Sequence, residues 1–139
     1  MKNSFKIAIL FLILVSCKQH LNMADISKLN GYWEIEKVVL PDSDKKDYKI
    51  NETVDFFKID KNIGFRHKVT PQFDGKYLVN EFAEKVKIVS KDDKIYIEYS
   101  TEFAKWKDEL ISISKDKFVV KNDANIEYYY KRQIPFSVK

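Results

Sequence analysis

The sequence predicts an all-β protein: an antiparallel up-and-down β-barrel of about eight or nine strands, preceded by a short helix. Three observations predict it. Short apolar runs recur along the chain, turn-forming residues separate them, and within the runs apolar and polar residues alternate, as in a strand with one buried face. No long segment carries helical periodicity. An open β-sandwich is the alternative that these patterns leave.

The elements follow in chain order. The helix is expected to begin at Asn22, a favourable capping residue, and to end at Leu29, because Asn30 and Gly31 tolerate the left-handed conformation. Loop formers, including residues 41–47 and the Asp-Gly pair at 74–75, then separate the strands. The predicted strands cover residues 31–40, 51–60, 63–69, 76–80, 84–90, 94–100, 108–114, 117–122 and 126–133.

The N-terminal residues indicate export. Lys2 and Lys6 precede an apolar run from Ile7 to Val15, which is typical of a secretory signal peptide. The run is too short to span a bilayer comfortably. Leu14-Val15-Ser16-Cys17 resembles the bacterial lipobox, which implies cleavage before Cys17 and a lipid on its sulfur. The predicted organisation is a signal peptide over residues 1–16, a lipidated tether over 17–22 and a barrel domain over 23–139.

The composition excludes several classes of protein. Cys17 is the only cysteine, so the chain cannot form an internal disulfide; a buried unpaired thiol is the alternative to lipidation. Aromatic residues make up 14% of the chain and it has only three glycines and three prolines, which argues against disorder. The 25 basic and 21 acidic residues are interspersed, which is typical of a solvated surface and not of a nucleic-acid interface.

The head of the first strand reads Leu29-Asn30-Gly31-Tyr32-Trp33, and Arg132 lies in the last strand. This pattern resembles the Gly-X-Trp signature of lipocalins and, more specifically, the lipocalin-like lipoproteins of Bacteroidetes. The resemblance implies that Gly31, Trp33 and Arg132 close one end of the barrel, with the cation over the indole ring. It also implies a lipid-anchored protein of the cell envelope, most simply on the periplasmic leaflet of the outer membrane.

Residues suited to catalysis are few. His20 falls in the tether, so His67 is the one histidine of the predicted domain. No His-X-His or Cys-X-X-Cys spacing indicates a metal site, and no serine lies in a nucleophile-elbow context. The sequence therefore predicts neither an enzyme nor a cofactor or metal site.

Two segments, residues 66–77 and 101–107, mix aromatic, basic and amide side chains and are expected to rim one mouth of the barrel. There they would hold an amphipathic or anionic ligand; the alternative is that their aromatic rings cap the core. Glu84 shares an alternation with Phe82 and Val86 and is expected to point inward at a hydrated mouth. The candidate ligand-binding residues are His67, Phe73, Tyr77, Glu84, Tyr99, Phe103 and Trp106.

Two functional hypotheses follow. The first is a membrane-anchored binding protein for a small hydrophobic or amphipathic ligand. The second is an envelope interaction or assembly protein, in which the barrel is solid and its loops contact another envelope protein. An interior cavity of roughly 300 Å³ or more favours the first hypothesis.

Overall fold

A computed structural model describes residues 20–42, 45–47 and 53–135. The predicted signal peptide, Cys17 and the start of the tether lie outside these residues. The described chain forms a 3-10 helix, Met23–Leu29, and nine strands. In chain order the strands β1 to β9 are Gly31–Val39, Lys45–Asp47, Val54–Asp60, Ile63–Pro71, Tyr77–Lys91, Lys94–Ser100, Lys105–Ile113, Lys117–Lys121 and Glu127–Arg132.

The strands close into an antiparallel barrel. From β3 to β9 each strand pairs with the next, and β1 pairs with β3 on one side and with β9 on the other. The short strand β2 pairs with the end of β1 on the same side as β3, so the barrel has eight positions around its axis. The predicted up-and-down barrel is confirmed, and the β1–β9 pairing excludes an open sandwich.

Antiparallel pairing divides the connections between two ends of the barrel. The start of β1, the 3-10 helix and the turns before β4, β6 and β8 lie at one end, called here the closed end. The loops before β7 and β9, at residues 101–104 and 122–126, lie at the other end, called the mouth; the loop before β5, at residues 72–76, belongs to a hairpin that bends onto the outer wall. Of the two segments predicted to rim one mouth, residues 101–107 contribute a loop there, but residues 66–77 end on the outer wall, where Tyr77 contacts Tyr32 and Gln133 near the closed end.

The helix seals the closed end. Asn22 caps it by accepting a hydrogen bond from the backbone of Ala24, and its apolar face buries Ile26 and Leu29. The side chain of Asn30 then exchanges two hydrogen bonds with the backbone of Ile59 in β3, which fixes the helix on the barrel. Leu21, just before the helix, also packs against the core.

Large side chains fill the closed half of the interior. The rings of Trp33 and Phe118 meet edge to face with centroids 4.7 Å apart, and Phe118 stacks on Tyr130 at 4.4 Å. Aliphatic residues such as Ile97 and Leu110, both essentially inaccessible, complete this core. The barrel therefore has no room for a ligand at its closed end.

Strand β5 departs from its prediction. Two strands were expected, at 76–80 and 84–90, but residues 77–91 form one strand. A register shift against β4 falls between the pairs His67–Ala83 and Val69–Val79, where β5 carries the extra residues. The shift turns Phe82 outward, where it is 82% exposed, so the predicted inward alternation of Phe82 with Glu84 is wrong.

The part of the β4–β5 hairpin beyond this shift forms an arm that lies against the outer wall. Tyr77 stacks on Tyr32 of β1 with ring centroids 3.9 Å apart, and its hydroxyl donates to Gln133 after β9. Val54 and Val69 are buried but are not part of the interior core. A second, smaller apolar cluster thus forms outside the barrel.

Candidate functional site

A cleft of about 500 Å³ opens at the mouth. Two of the residues that line it, Arg66 from β4 and Tyr130 from β9, are buried and form its floor. Trp106 and Tyr128 contribute aromatic walls, and residues 122–124 contribute one side of the rim. The cleft lies above the filled half of the barrel and is the concave site that a small molecule would enter from solvent.

Arg66 occupies the centre of this half of the barrel. Its side chain is 9% exposed, and its guanidinium carbon lies 4.2 Å from the ring centroid of Tyr99. Its Nε donates to Glu84, and its Nη1 lies 4.0 Å from a carboxylate oxygen of Asp55. Alternation dictates this position: because Phe57 faces inward, its register partner Arg66 does so as well.

A buried charge is costly unless it is paired, and the interior charges here pair with each other. Asp55 is 2% exposed, and Lys68 contacts it from the directly opposite position on β4. The Asp55 oxygens accept no well-directed hydrogen bond from the described residues, so the two cations hold this carboxylate by charge. Sequence alternation places Arg66 and Lys68 on one face of β4, and the register adds Asp55 of β3 to that face, but alternation does not indicate that this face points inward.

Burial and the neighbouring charges together determine the pKa values of Arg66, Tyr99 and Tyr130. Burial disfavours the charged form of Arg66, but Tyr99, the hydrogen bond to Glu84 and the charge of Asp55 together raise its pKa, and it stays cationic. Burial raises the pKa of the Tyr99 hydroxyl, although Arg66 opposes the shift. Burial likewise raises the pKa of Tyr130 well above its usual value. Both hydroxyls are therefore neutral donors at physiological pH.

The candidate ligand-binding residues divide into two groups. Glu84, Tyr99 and Trp106 belong to the interior, where Trp106 lines the cleft and stacks on Tyr99 with centroids 5.5 Å apart. The alternative that the aromatic rings of the two segments cap the core holds for Trp106, which packs against it, but not for Phe73 and Phe103, which are 82% and 91% exposed.

His67 and Tyr77 do not line the cleft, and their assignment to a ligand site is corrected. His67 faces outward, where its ring meets Phe65 edge to face at 5.0 Å and its Nδ1 lies 3.3 Å from the carbonyl oxygen of Asn80. It shares a strand face with Phe65 and Val69, and that apolar face is the outer one. The arm, which carries Tyr77, covers part of this outer face. The apolar residues of the face therefore pack under the arm and do not mark the interior of the barrel.

The residues predicted to close the barrel meet at the other end. The Arg132 guanidinium carbon lies 3.7 Å from the ring centroid of Trp33, whose indole Nε1 donates to the carbonyl of Leu29 at 2.7 Å. Gly31 has a φ of +116°, and a Cβ at this position would lie 2.7 Å from Arg132 Nη1. Glycine adopts this φ without strain, and a side chain here would also displace the guanidinium.

Two other classes of site are absent from the described residues. No group of three histidine, cysteine, aspartate or glutamate side chains is arranged to hold a metal ion. In the same part of the chain, no helix has the length and apolar character needed to cross a membrane.

Comparison with known proteins gives similarities of fold. No protein-family model and no curated protein matches the chain. A lipocalin-like protein from Bacteroides uniformis aligns over 76% of this chain and 99% of its own, with a TM-score of 0.49 and 11% identity. An uncharacterized protein from Bacteroides eggerthii gives the same coverage and identity, with a TM-score of 0.48. Apocrustacyanin C1 aligns over 84% of this chain and 67% of its own, with a TM-score of 0.48 and 9% identity.

Proposed function

We propose that this lipocalin-like protein binds a small apolar or amphipathic ligand in the mouth cleft and has no catalytic role. The observation that carries the proposal is the cleft itself. Its volume of about 500 Å³ exceeds the lower limit of roughly 300 Å³ for small-molecule sites, and aromatic walls stand above a floor of paired charges. On the floor, Asp55 and Glu84 contact the cations Arg66 and Lys68, which suits a fixed binding surface better than proton transfer.

We further propose that the protein acts in the cell envelope, held by a lipid on Cys17, on the periplasmic leaflet of the outer membrane. Support comes from the lipobox-like residues and the lone cysteine. Labelling of growing cells with radioactive palmitate tests this part. The expected result is a labelled protein in the membrane fraction, with no label on the Cys17→Ser variant; label retained by that variant would contradict lipidation.

Native mass spectrometry of the protein from its own envelope tests ligand binding. A reproducible small-molecule mass is expected, and Ala124→Trp, which fills the cleft from its rim, should remove it. Ala104→Trp is the matched control, because Ala104 is also an exposed alanine in a mouth loop but does not line the cleft. An empty protein, or equal occupancy in both variants, would count against binding in this cleft.

The envelope-assembly hypothesis has one observation in its favour. Leu78, Val79 and Phe82 on the arm are each more than half exposed, and exposed apolar patches commonly mark interaction sites. An empty cleft together with one stoichiometric protein partner, lost on Phe82→Ser, would favour this second function.

A further inference from the structure

The cations near the cleft are already occupied by protein groups. Arg66 contacts Glu84 and Asp55, and Lys68 contacts Asp55, so two cations are matched by two carboxylates. Lys107 also borders the cleft, but its ammonium lies 4.8 Å from the ring centroid of Tyr96 on the outer wall. A ligand anion would have to compete with these internal partners.

Asp108 differs from these groups. It lies in β7 between Trp106 and Leu110, on the inward face, and lines the cleft. Among the described residues, no side chain or backbone group forms a hydrogen bond or close ion pair with its carboxylate; the nearby charges that act on it are Arg66, Asp123 and Glu84. Arg66 is shared with two closer carboxylates, so the charge of Asp108 is only partly compensated.

Asp123 adds a second negative charge to the same cleft, at its rim. Among the described residues of the floor and rim, the carboxylates Asp108 and Asp123 are therefore left after Asp55 and Glu84 have paired with Arg66 and Lys68. No further inward cation lines the described part of the cleft to match them. Two aromatic side chains, Trp106 and Tyr128, stand beside them. Ring faces attract cations, and the attraction grows where water is excluded.

From this combination we infer that the ligand is an organic cation, an amine with an apolar body, whose ammonium group contacts Asp108 while its body lies against Trp106 and Tyr128. The inference rests on the proposed function, because it assumes that the mouth cleft is the binding site. It replaces the anionic ligand that the basic residues of the mouth segments suggest, since those residues are paired internally or point outward.

Three probes with the same phenylpropyl skeleton test the inference: 3-phenylpropan-1-amine, a cation; 3-phenylpropan-1-ol, neutral; and 3-phenylpropionate, an anion. Each is titrated calorimetrically into the full lipid-anchored protein in phosphatidylcholine nanodiscs, with empty nanodiscs as the blank. The amine is expected to bind about tenfold more tightly than the alcohol, as a hydrogen bond to a charged group implies, and the propionate more weakly than the alcohol.

Asp108→Asn is the decisive variant, because it removes the charge and preserves the shape. It should weaken amine binding about tenfold and leave alcohol binding unchanged. Asp93→Asn, in the turn between β5 and β6 at the closed end, makes the same charge change away from the cleft and should leave both affinities unchanged.

Each outcome decides the inference. Alcohol and propionate binding without preference for the amine would overturn it and leave the proposed function standing. Equal weakening by Asp108→Asn and Asp93→Asn would also overturn it, because long-range charge would then explain the preference. Binding of none of the three probes at millimolar concentration would count against both the inference and the proposed function.

Discussion

Replacement of Arg132 by alanine should remove a large part of the stability of this barrel. The guanidinium lies 3.7 Å from the ring centroid of Trp33 and donates to the carbonyl oxygens of three residues at the closed end, at 2.7 Å for Asn30, 2.9 Å for Lys28, and 2.9 and 3.2 Å for Lys115. The Arg132 side chain thus joins the helix, the β7–β8 turn and Trp33, which fills the closed end of the barrel.

The magnitude follows from these contacts. A net contribution of about 1 kcal/mol for each of the three carbonyls and a similar value for the cation–π contact give an expected loss of about 3–4 kcal/mol. Arg132→Lys keeps a charge above Trp33 but cannot reach all three carbonyls, so it should recover only about 1 kcal/mol of that loss.

Urea unfolding measures these losses. Fluorescence should be recorded in a Trp106→Phe background, so that Trp33 is the one remaining tryptophan. The matched control is Lys131→Ala, which removes a neighbouring surface ion pair with Glu34 and should change stability by less than about 1 kcal/mol. A loss below about 1 kcal/mol for Arg132→Ala, or equal losses for the alanine and lysine variants, would refute the reasoning.

Three further predictions concern the interior and the closed end. Arg66→Met leaves the buried Asp55 and the partly buried Glu84 without their shared cation and should cost about 3–5 kcal/mol of unfolding free energy; a concurrent Glu84→Leu should restore part of it. Burial raises the pKa of Asp108, so its ionised form destabilises the fold, and Asp108→Asn should stabilise the protein at pH 7. Gly31→Ala should cost about 1–3 kcal/mol, because it strains the backbone and displaces Arg132.

The stabilisation expected from Asp108→Asn depends on pH in a defined direction. The folded state holds the proton more tightly than the unfolded state, whose pKa lies near 3.8, so the destabilisation is absent below that value and grows as pH rises through the folded pKa. Melting temperatures of the parent and Asp108→Asn proteins should therefore converge toward pH 3.5 and separate toward neutrality. A constant difference across this range would contradict the assignment.

Double-mutant and rescue measurements test the predictions for Gly31→Ala and Arg66→Met. The cost of Gly31→Ala should shrink in an Arg132→Ala background, because the added methyl group then has nothing to displace; additive costs would argue against a steric cause. For Arg66→Met, a loss that Glu84→Leu does not reduce would show that packing, and not unpaired charge, sets the cost.

Turn chemistry and alternation are strong local signals, and most strand positions could be predicted from them. Strand β2, Lys45–Asp47, could not, because three polar residues carry no alternation and their pairing depends on β1. The continuity of β5 was hidden by polar residues such as Asn80 and Glu81, which resemble a turn but lie where the arm leaves the barrel.

The cleft was harder to predict for a different reason. Alternation groups Arg66 with Lys68, and Phe65 with His67, but it does not tell which group faces inward. Hydrophobicity favours the wrong choice, because the arm gives the outer face an apolar cluster of its own and paired charges fill part of the interior. Only the tertiary partners of a charged residue, here Asp55 for both cations, reveal that it is inside.

The position of the N-terminal helix has a consequence for access to the cleft. Leu21 and the helix pack on the closed end, and only residues 18 and 19 separate Cys17 from the described chain, a reach of about 10 Å. If Cys17 carries the proposed lipid, the closed end faces the bilayer and the mouth opens toward the aqueous compartment. Ligand would then be captured from solution, and its exchange would not require passage through the supporting membrane.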